Sequence, residues 1–354
     1  MMQPFVYDAL PGRIVFGVGR RHEVPGEVAR LGATRVLLIA DGAAAATGDE
    51  LASGLGAALA LRWDEVVQHV PVDLADRARA AATEAAVDTV VCVGGGSATG
   101  LAKAIALSHD VAVVAVPTTY AGSEVTPIYG LTGGRHKQTG RDLRVLPRVV
   151  VYDPELTVGL PPRVSGASAF NALAHCVEAL YAPGANPVVS ALALEGVRAI
   201  HRWLPVAMEQ PTHLDARAGL LYGAYLAGLA LGSTGTALHH KLCHVLGGTF
   251  DLVHADAHSV ILPHAVAYNA PALPEEMARL AEALGAPGAD PAGALWDLAV
   301  ASHVPTTLAE LGLAEADLPE AARRATAEIT VNPLPVDEAR LTALLRDAHV
   351  GRRP

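Results

Sequence analysis

Residues 90–97 read Val-Val-Cys-Val-Gly-Gly-Gly-Ser, a β-branched run that passes directly into three glycines and a hydroxyl. The residues that follow, from Ala98 through Lys103 to Ser108, carry a helix-period pattern. Strand, glycine loop and helix in that order let backbone N–H groups and a helix N-terminus meet a pyrophosphate with no Cβ in the way. Alone, the loop is also compatible with an ordinary tight turn. A second loop, Pro117-Thr118-Thr119-Tyr120-Ala121-Gly122-Ser123-Glu124, follows another β-branched run, Val111 to Val116. Two such loops at the carboxyl ends of two strands are what a dinucleotide site in an open α/β sheet requires. Gly94, Gly95, Gly96, Ser97, Lys103, Thr118, Thr119 and Ser123 are therefore the candidate cofactor contacts.

Outward from these loops, short β-branched runs alternate with Ala-rich helical stretches, the pattern of a parallel, Rossmann-like sheet with crossover helices. Expected strands are Arg13 to Phe16, Arg35 to Ala40, Thr89 to Val93, Val111 to Val116 and Arg148 to Val151, with helices around Val24 to Leu31, Asp49 to Ala60, Asp73 to Ala85 and Ala98 to Ser108. Asp41 ends the second of these strands, where a carboxylate accepts ribose hydroxyls and repels a 2′-phosphate. That favours NADH over NADPH, although Asp41-Gly42 also suits a plain turn. After Asp153-Pro154 the strand signals stop. Two prolines and two glycines between Thr157 and Gly166 interrupt both periodicities, and helical patterns continue from there to the end. The expectation is an α/β nucleotide-binding domain over residues 1–160 and an all-α catalytic domain over residues 161–354, since 354 residues exceed the usual span of one core.

Composition excludes several classes of function. With 36 acidic against 26 basic residues, a net charge of −10 and no Lys/Arg run, a nucleic-acid groove is not expected. Cys92, Cys176 and Cys243 lie far apart and form no CxxC pair, which fits neither a zinc knuckle nor a disulfide scaffold and points to a reducing, cytoplasmic setting. The opening MMQPFVYDALPGRIVFG contains no apolar stretch of secretory type, so no leader is expected. Ala218 to His239 carries no acid or base except histidine and is long enough to span a bilayer. Its many glycines and hydroxyls argue instead for a helix buried in a soluble core, where small residues admit close neighbours.

Histidine carries the remaining signal. Asn171 and His175, His240 and His244, and His254 and His258 are each four residues apart, so each pair shares one helix face. A lone histidine in an apolar helix is ordinarily a satisfied core residue, but three pairs in the helical half suggest convergence on one pocket. Lys241, next to His240, is a site candidate or else a surface lysine, and Lys137 and Arg141, in the turn-like HKQTGRD, are further basic candidates that would also suit a solvated loop. Cys243 is either a reactive thiol or a small buried hydrophobe, and the latter is preferred.

Together GGGS with Lys103, TTYAGSE, Asn171-x-x-x-His175, and His240-x-x-x-His244 followed by His254 resemble the iron-containing alcohol dehydrogenase superfamily, which shares its architecture with dehydroquinate synthase. The resemblance covers nearly the whole chain. In metal-dependent members the ligands fall at positions 171, 175, 240 and 254 as an Asp and three His, whereas this chain has Asn171, His175, His240 and His254. An amide is a poorer ligand for a hard cation than a carboxylate, so no essential metal is expected. The strings PTTYAGSEVTPIYG, QTGRDLRVLPRVVVYDPELT, NALAHCVEALYA, ALHHKLCHVLGGTFDLVHADAH and LPHAVAYNAPA look like the maleylacetate reductase branch. The resemblance implies reduction of the carbon–carbon double bond of a small dicarboxylate, maleylacetate, to 3-oxoadipate by NADH, with NADPH also accepted, in a homodimer that degrades aromatic compounds. His240, His244 and His254 are then the expected oxyanion and proton donors, with His175 shaping the pocket, Asn171 and Tyr120 against the substrate, Lys241 as partner for one substrate carboxylate and Lys137 and Arg141 as candidates for the second. Other readings are a metal-dependent alcohol or hydroxy-acid dehydrogenase, a lyase resembling dehydroquinate synthase, and a non-catalytic nucleotide-binding module.

Overall fold

A computed structural model describes residues 4–133 and 136–354, with the side chains at 136 and 137 outside the description. The chain divides into two units, Leu10–Leu160 and Pro161–Pro354, the latter joined by the N-terminal segment through Ala9.

The first unit runs β1 (Arg13–Phe16), α1 (Val24–Arg30), β2 (Val36–Ala40), α2 (Ala45–Leu55), β3 (Leu59–Trp63), α3 (Val72–Glu84), β4 (Thr89–Gly94), α4 (Gly96–Ala106), β5 (Ala112–Pro117), β6 (Ile128–Gly133), β7 (His136–Arg141) and β8 (Val149–Tyr152). Six strands form a parallel sheet in the order β1-β8-β5-β4-β2-β3. β2, β4 and β8 are buried along their whole length. Their continuous runs VLLIA, VVCVG and VVVY reflect a sheet covered on both faces, where no solvent side imposes alternation.

Chain order reverses between β2 and β4, since β2 leads outward to β3 while β4 leads to β5 on the other side. This is the topological switch point where ligands of open α/β sheets bind. Ala40 pairs with Val93, and Gly94 pairs with Pro117. Asp41, the Gly94–Ser97 loop and Thr118 therefore leave three neighbouring strands at one edge.

Two local expectations are corrected. The helix expected over residues 49–60 ends at Leu55, and Leu59–Trp63 is instead an edge strand, half-buried throughout. Gly56, at φ +51, breaks the helix, and alanine content had masked the strand. HKQTGRD is likewise no open turn: residues 136–141 form β7, antiparallel to β6.

The second unit consists of α5 (Pro162–Glu178), α6 (Pro187–Glu209), α7 (Leu214–Thr234), α8 (Leu238–Phe250), α9 (His254–Asn269), α10 (Pro274–Ala283), α11 (Pro291–Ala301), α12 (Leu318–Glu328) and α13 (Glu338–Val350). The apolar stretch 218–239 is mostly α7, buried rather than lipid-facing in type. Among the described residues, no helix is long and apolar enough to cross a membrane. A Cβ on Gly223 would lie 2.5 Å from Ile200, and one on Gly196 would lie 2.7 Å from the Cys176 sulfur, so α5, α6 and α7 meet at distances only glycine permits. Gly235, at φ +79, ends α7 and turns the chain into α8, which carries His239, His240 and His244.

Candidate cofactor loops and histidine site

Gly94 adopts φ +149, and a Cβ there would lie 2.8 Å from the Ala98 Cβ. A Cβ on Gly95 would lie 3.0 Å from Thr119 Cγ2. The two loops are also joined by the backbone, with Thr118 N donating to Gly94 O at 3.0 Å. Gly95, Ser97, Thr118 and Thr119 are half-buried and Gly96 is exposed, leaving loop backbone accessible at the N-terminus of α4. That cradle fits a pyrophosphate, because the bare glycines admit close approach and the helix end favours negative charge. Asp41 caps the turn after β2, accepting from Ala44 N at 3.3 Å.

Lys103 corrects the expectation placed on it. Its Nζ is fully buried and lies within 2.6–3.3 Å of Ser123 O and Oγ, Thr126 O and Oγ1, and Ile128 O. Burial pushes the lysine down to about 7. All its donor capacity is spent bracing the second loop from below, and Ser123 is one of its partners. Tyr120 is also fully buried, which takes it away from a substrate surface. Beneath the same loop, Tyr152 donates to the buried Glu124 at 2.7 Å, and burial pushes the Glu124 carboxyl up.

In the helical unit, α5, α8 and α9 bring the predicted histidines together. His175 and His240 stack with ring centroids 4.8 Å apart, His244 stacks on His254 at 5.6 Å, and His240 lies 6.4 Å from His244. Asn171 is half-buried one turn before His175. His175 and His240 are buried, His254 is half-buried and His244 is exposed. Lys241 is half-buried beside His240. Arg141 is exposed at the end of β7 in the first unit, and the Lys137 side chain lies outside the described residues.

Sequence reasoning missed the group that organises the cluster. Glu178, buried on α5, accepts from His240 Nδ1 at 2.6 Å, from Ala237 N at 3.0 Å and from His239 N at 2.7 Å. The carboxylate therefore caps the first turn of α8, where it also meets the positive end of the helix. It fixes the proton of His240 on Nδ1 and leaves a buried Nε2 with no partner. A glutamate three residues after His175 in an otherwise apolar helix was the available signal. His239 and His258, both fully buried, extend the cluster: His239 Nε2 lies 2.8 Å from His258 Nδ1, and His258 Nε2 lies 3.0 Å from His254 Nε2. Burial first, and neighbouring histidines second, hold His175, His239 and His258 well below the usual imidazole range, so all three are neutral near pH 7. The Cys243 thiol is pushed well up by burial and is a small core residue, not a nucleophile.

The comparisons with known proteins agree with this architecture. The sequence profile described as iron-containing alcohol dehydrogenase matches residues 11–154, and that described as the Fe-containing alcohol dehydrogenase family, C-terminal, matches residues 165–349. The chain belongs to the iron-containing alcohol dehydrogenase family. It is 49% identical over 350 residues to a maleylacetate reductase of Sphingobium indicum, covering 99% of each chain. Among solved structures, maleylacetate reductase from Agrobacterium tumefaciens is 46% identical with a TM-score of 0.96, and that from Rhizobium sp. strain MTP-10005 is 45% identical with a TM-score of 0.96; coverage is 100% of each chain in both cases.

The family name implies iron, and the residues present do not fit a firmly held hard cation. His240 has the arrangement of a ligand, with a carboxylate on Nδ1 and an unpartnered Nε2. Asn171, however, offers a neutral amide, and His254 Nε2 is engaged by His258. Among the described residues, the His, Cys, Asp and Glu side chains whose ligand atoms all lie within 4.8 Å are a different set, His239, Cys243 and His258. The two nitrogens in that set sit at hydrogen-bond distance, shorter than the roughly 3.3 Å expected of two imidazoles on one tetrahedral zinc.

Proposed function

We propose that the protein reduces the carbon–carbon double bond of maleylacetate to 3-oxoadipate at the expense of NADH. The observation that carries this reading is the full-length identity of 45–49% to curated maleylacetate reductases. The glycine cradle and the histidine cluster give it chemistry.

The cofactor would be held by Gly94, Gly95, Gly96 and Ser97 on its pyrophosphate, by Thr118 and Thr119 beside them, and by Asp41 on its ribose. When bound, NADH supplies a hydride to the substrate carbon β to the ketone. The protein's own task is to stabilise the negative charge that gathers on the ketone oxygen and then to protonate the adjacent carbon. Because maleylacetate is a conjugated 4-oxo-2-enedioate, it needs less polarisation than a simple ketone, and hydrogen-bond donors suffice where a carbonyl reductase would use a metal. His254 and His244 are suited to these two tasks. His244, exposed to solvent, can exchange its proton, and His254 is half-buried beside it with its ring stacked on that of His244. His240 is oriented by Glu178 with its lone pair inward and, with His175 and Asn171, shapes the pocket. Lys241 is the basic residue nearest the cluster in sequence and is assigned to a substrate carboxylate.

The family resemblance further suggests a homodimer, and the three unpaired cysteines suggest a reducing, cytoplasmic setting. The deciding experiment follows NADH and NADPH oxidation with maleylacetate and with simple aldehydes, using enzyme stripped by chelator and checked by metal analysis. Turnover of maleylacetate by the metal-free enzyme is expected. Brisk aldehyde reduction without maleylacetate turnover would refute the reading, and activity restored only by iron or zinc would refute its metal-free form.

A further inference from the structure

His254, His258 and His239 form a row of three imidazoles joined by two hydrogen bonds, 3.0 Å and 2.8 Å long. Its inner end is closed: His239 is fully buried, and its Nδ1 has no hydrogen-bond partner. With each imidazole carrying a single N–H proton, the row has two arrangements. In the first, His239 Nε2–H donates to His258 Nδ1, His258 Nε2–H donates to His254 Nε2, and the proton of His254 sits on Nδ1. In the second, both bonds reverse, His254 carries its proton on Nε2, and His239 is left with an Nδ1–H that has no acceptor.

The arrangements differ in cost at the buried end. An orphaned N–H in the interior is rarer and more costly than an under-used lone pair. His239 is also the second residue of α8, where the positive end of the helix opposes a proton on the ring nitrogen nearest the backbone. His254 opens α9 and meets a similar field, but it is half-exposed and solvent screens it. Conversion of one arrangement into the other needs a proton to enter or leave at His239 Nδ1, and no hydrogen-bond partner reaches that atom. The row is therefore a lock rather than a proton wire.

We propose that His258, braced by His239, is a positioning residue that holds His254 in the Nδ1–H tautomer, so that His254 enters the reaction as a hydrogen-bond donor from Nδ1. This rests on the placement of His254 at the reacting site under the function proposed above.

The test begins with unmodified protein. Long-range proton–nitrogen spectra of 15N-histidine-labelled enzyme, with the His254 resonances identified by their loss in His254→Gln, should show a proton on Nδ1 and an unprotonated Nε2 near pH 8. An Nε2–H signal for His254 would overturn the proposal. Kinetics then separate positioning from mere packing. His258→Leu removes the donor and should lower kcat by about ten- to a hundredfold while both KM values stay within about threefold. In His258→Gln the amide oxygen can accept from His239 and the amide N–H can donate to His254, so most of that loss should be recovered. Equal kcat in all three proteins, or loss in Gln as severe as in Leu, would also overturn it. Should His258→Leu fail to fold, the wild-type spectrum decides alone. Because that spectrum needs no substrate, absence of maleylacetate turnover would refute the functional reading without altering the tautomer result.

Discussion

Glu178 shows how much one buried side chain sets in this protein. Its two oxygens satisfy two N–H groups at the start of α8 and the Nδ1–H of His240. In Glu178→Gln the amide must aim an N–H at one of those donors. The expected result is a loss of about 1–3 kcal/mol in chemical denaturation and a fall in kcat larger than the rise in either KM, because the proton position of His240 is released. An unchanged urea midpoint would contradict the contacts. Asp41 acts through its charge, by the reading that it faces the ribose. Asp41→Ala should raise the ratio of kcat/KM for NADPH to that for NADH by about tenfold or more, since it removes both a hydrogen-bond acceptor and a repulsive charge. A ratio that does not move would take Asp41 out of the cofactor site and return it to its role as a turn cap.

At the scale of elements, the joint between β4 and α4 depends on the absence of side chains. Gly94→Ala would force an alanine into φ +149 and bring its Cβ to 2.8 Å from Ala98. We expect roughly 1–3 kcal/mol of destabilisation from the backbone conformation and a KM for NADH raised well beyond that for maleylacetate. Equal changes in both KM values would instead indicate a general loss of structure. The strand, the loop and the helix at this joint were legible in sequence because each had a local cause: β-branching, a glycine cluster and helical periodicity. β3 and β7 were not, since both are short strands in stretches whose composition favours other states, and pairing with a neighbour decides them. Lys103 was misplaced for a related reason. Its spacing from the glycines is visible in sequence, but whether its ammonium points at a ligand or at the underside of Ser123 and Thr126 depends on the loop that folds over it.

Across the whole molecule, buried neutral histidines tie stability to pH. His264, on α9, is 4% exposed, and burial lowers it to about 4 from an ordinary value of 6.5. Between those values the unfolded chain binds a proton that the folded chain refuses, so stability is fully present above about pH 6.5 and is lost as pH falls toward 4. His175, His239 and His258 shift in the same direction. The urea midpoint should therefore drop steeply between pH 6.5 and 4.5, and His264→Leu should flatten part of that slope. A slope identical to wild type would show that His264 titrates outside this window.

The sequence by itself determined the α/β and helical halves, the loops at the sheet edge, and the Asn171–His175, His240–His244 and His254–His258 pairs, because each is written in a short local pattern, a glycine cluster or a repeat of two to four residues, that local geometry converts directly into a turn, a strand edge or a helix face. Only the tertiary structure decided what those faces meet. It placed Glu178 under His240, folded Lys103 inward, and set His258 and His239 behind His254. The contacts of Lys103 with Ser123, His239 with His258 and Glu178 with His240 join residues 19 to 62 positions apart. No local repeat records them, because they follow from how α5, α8, α9 and the β5–β6 segment pack.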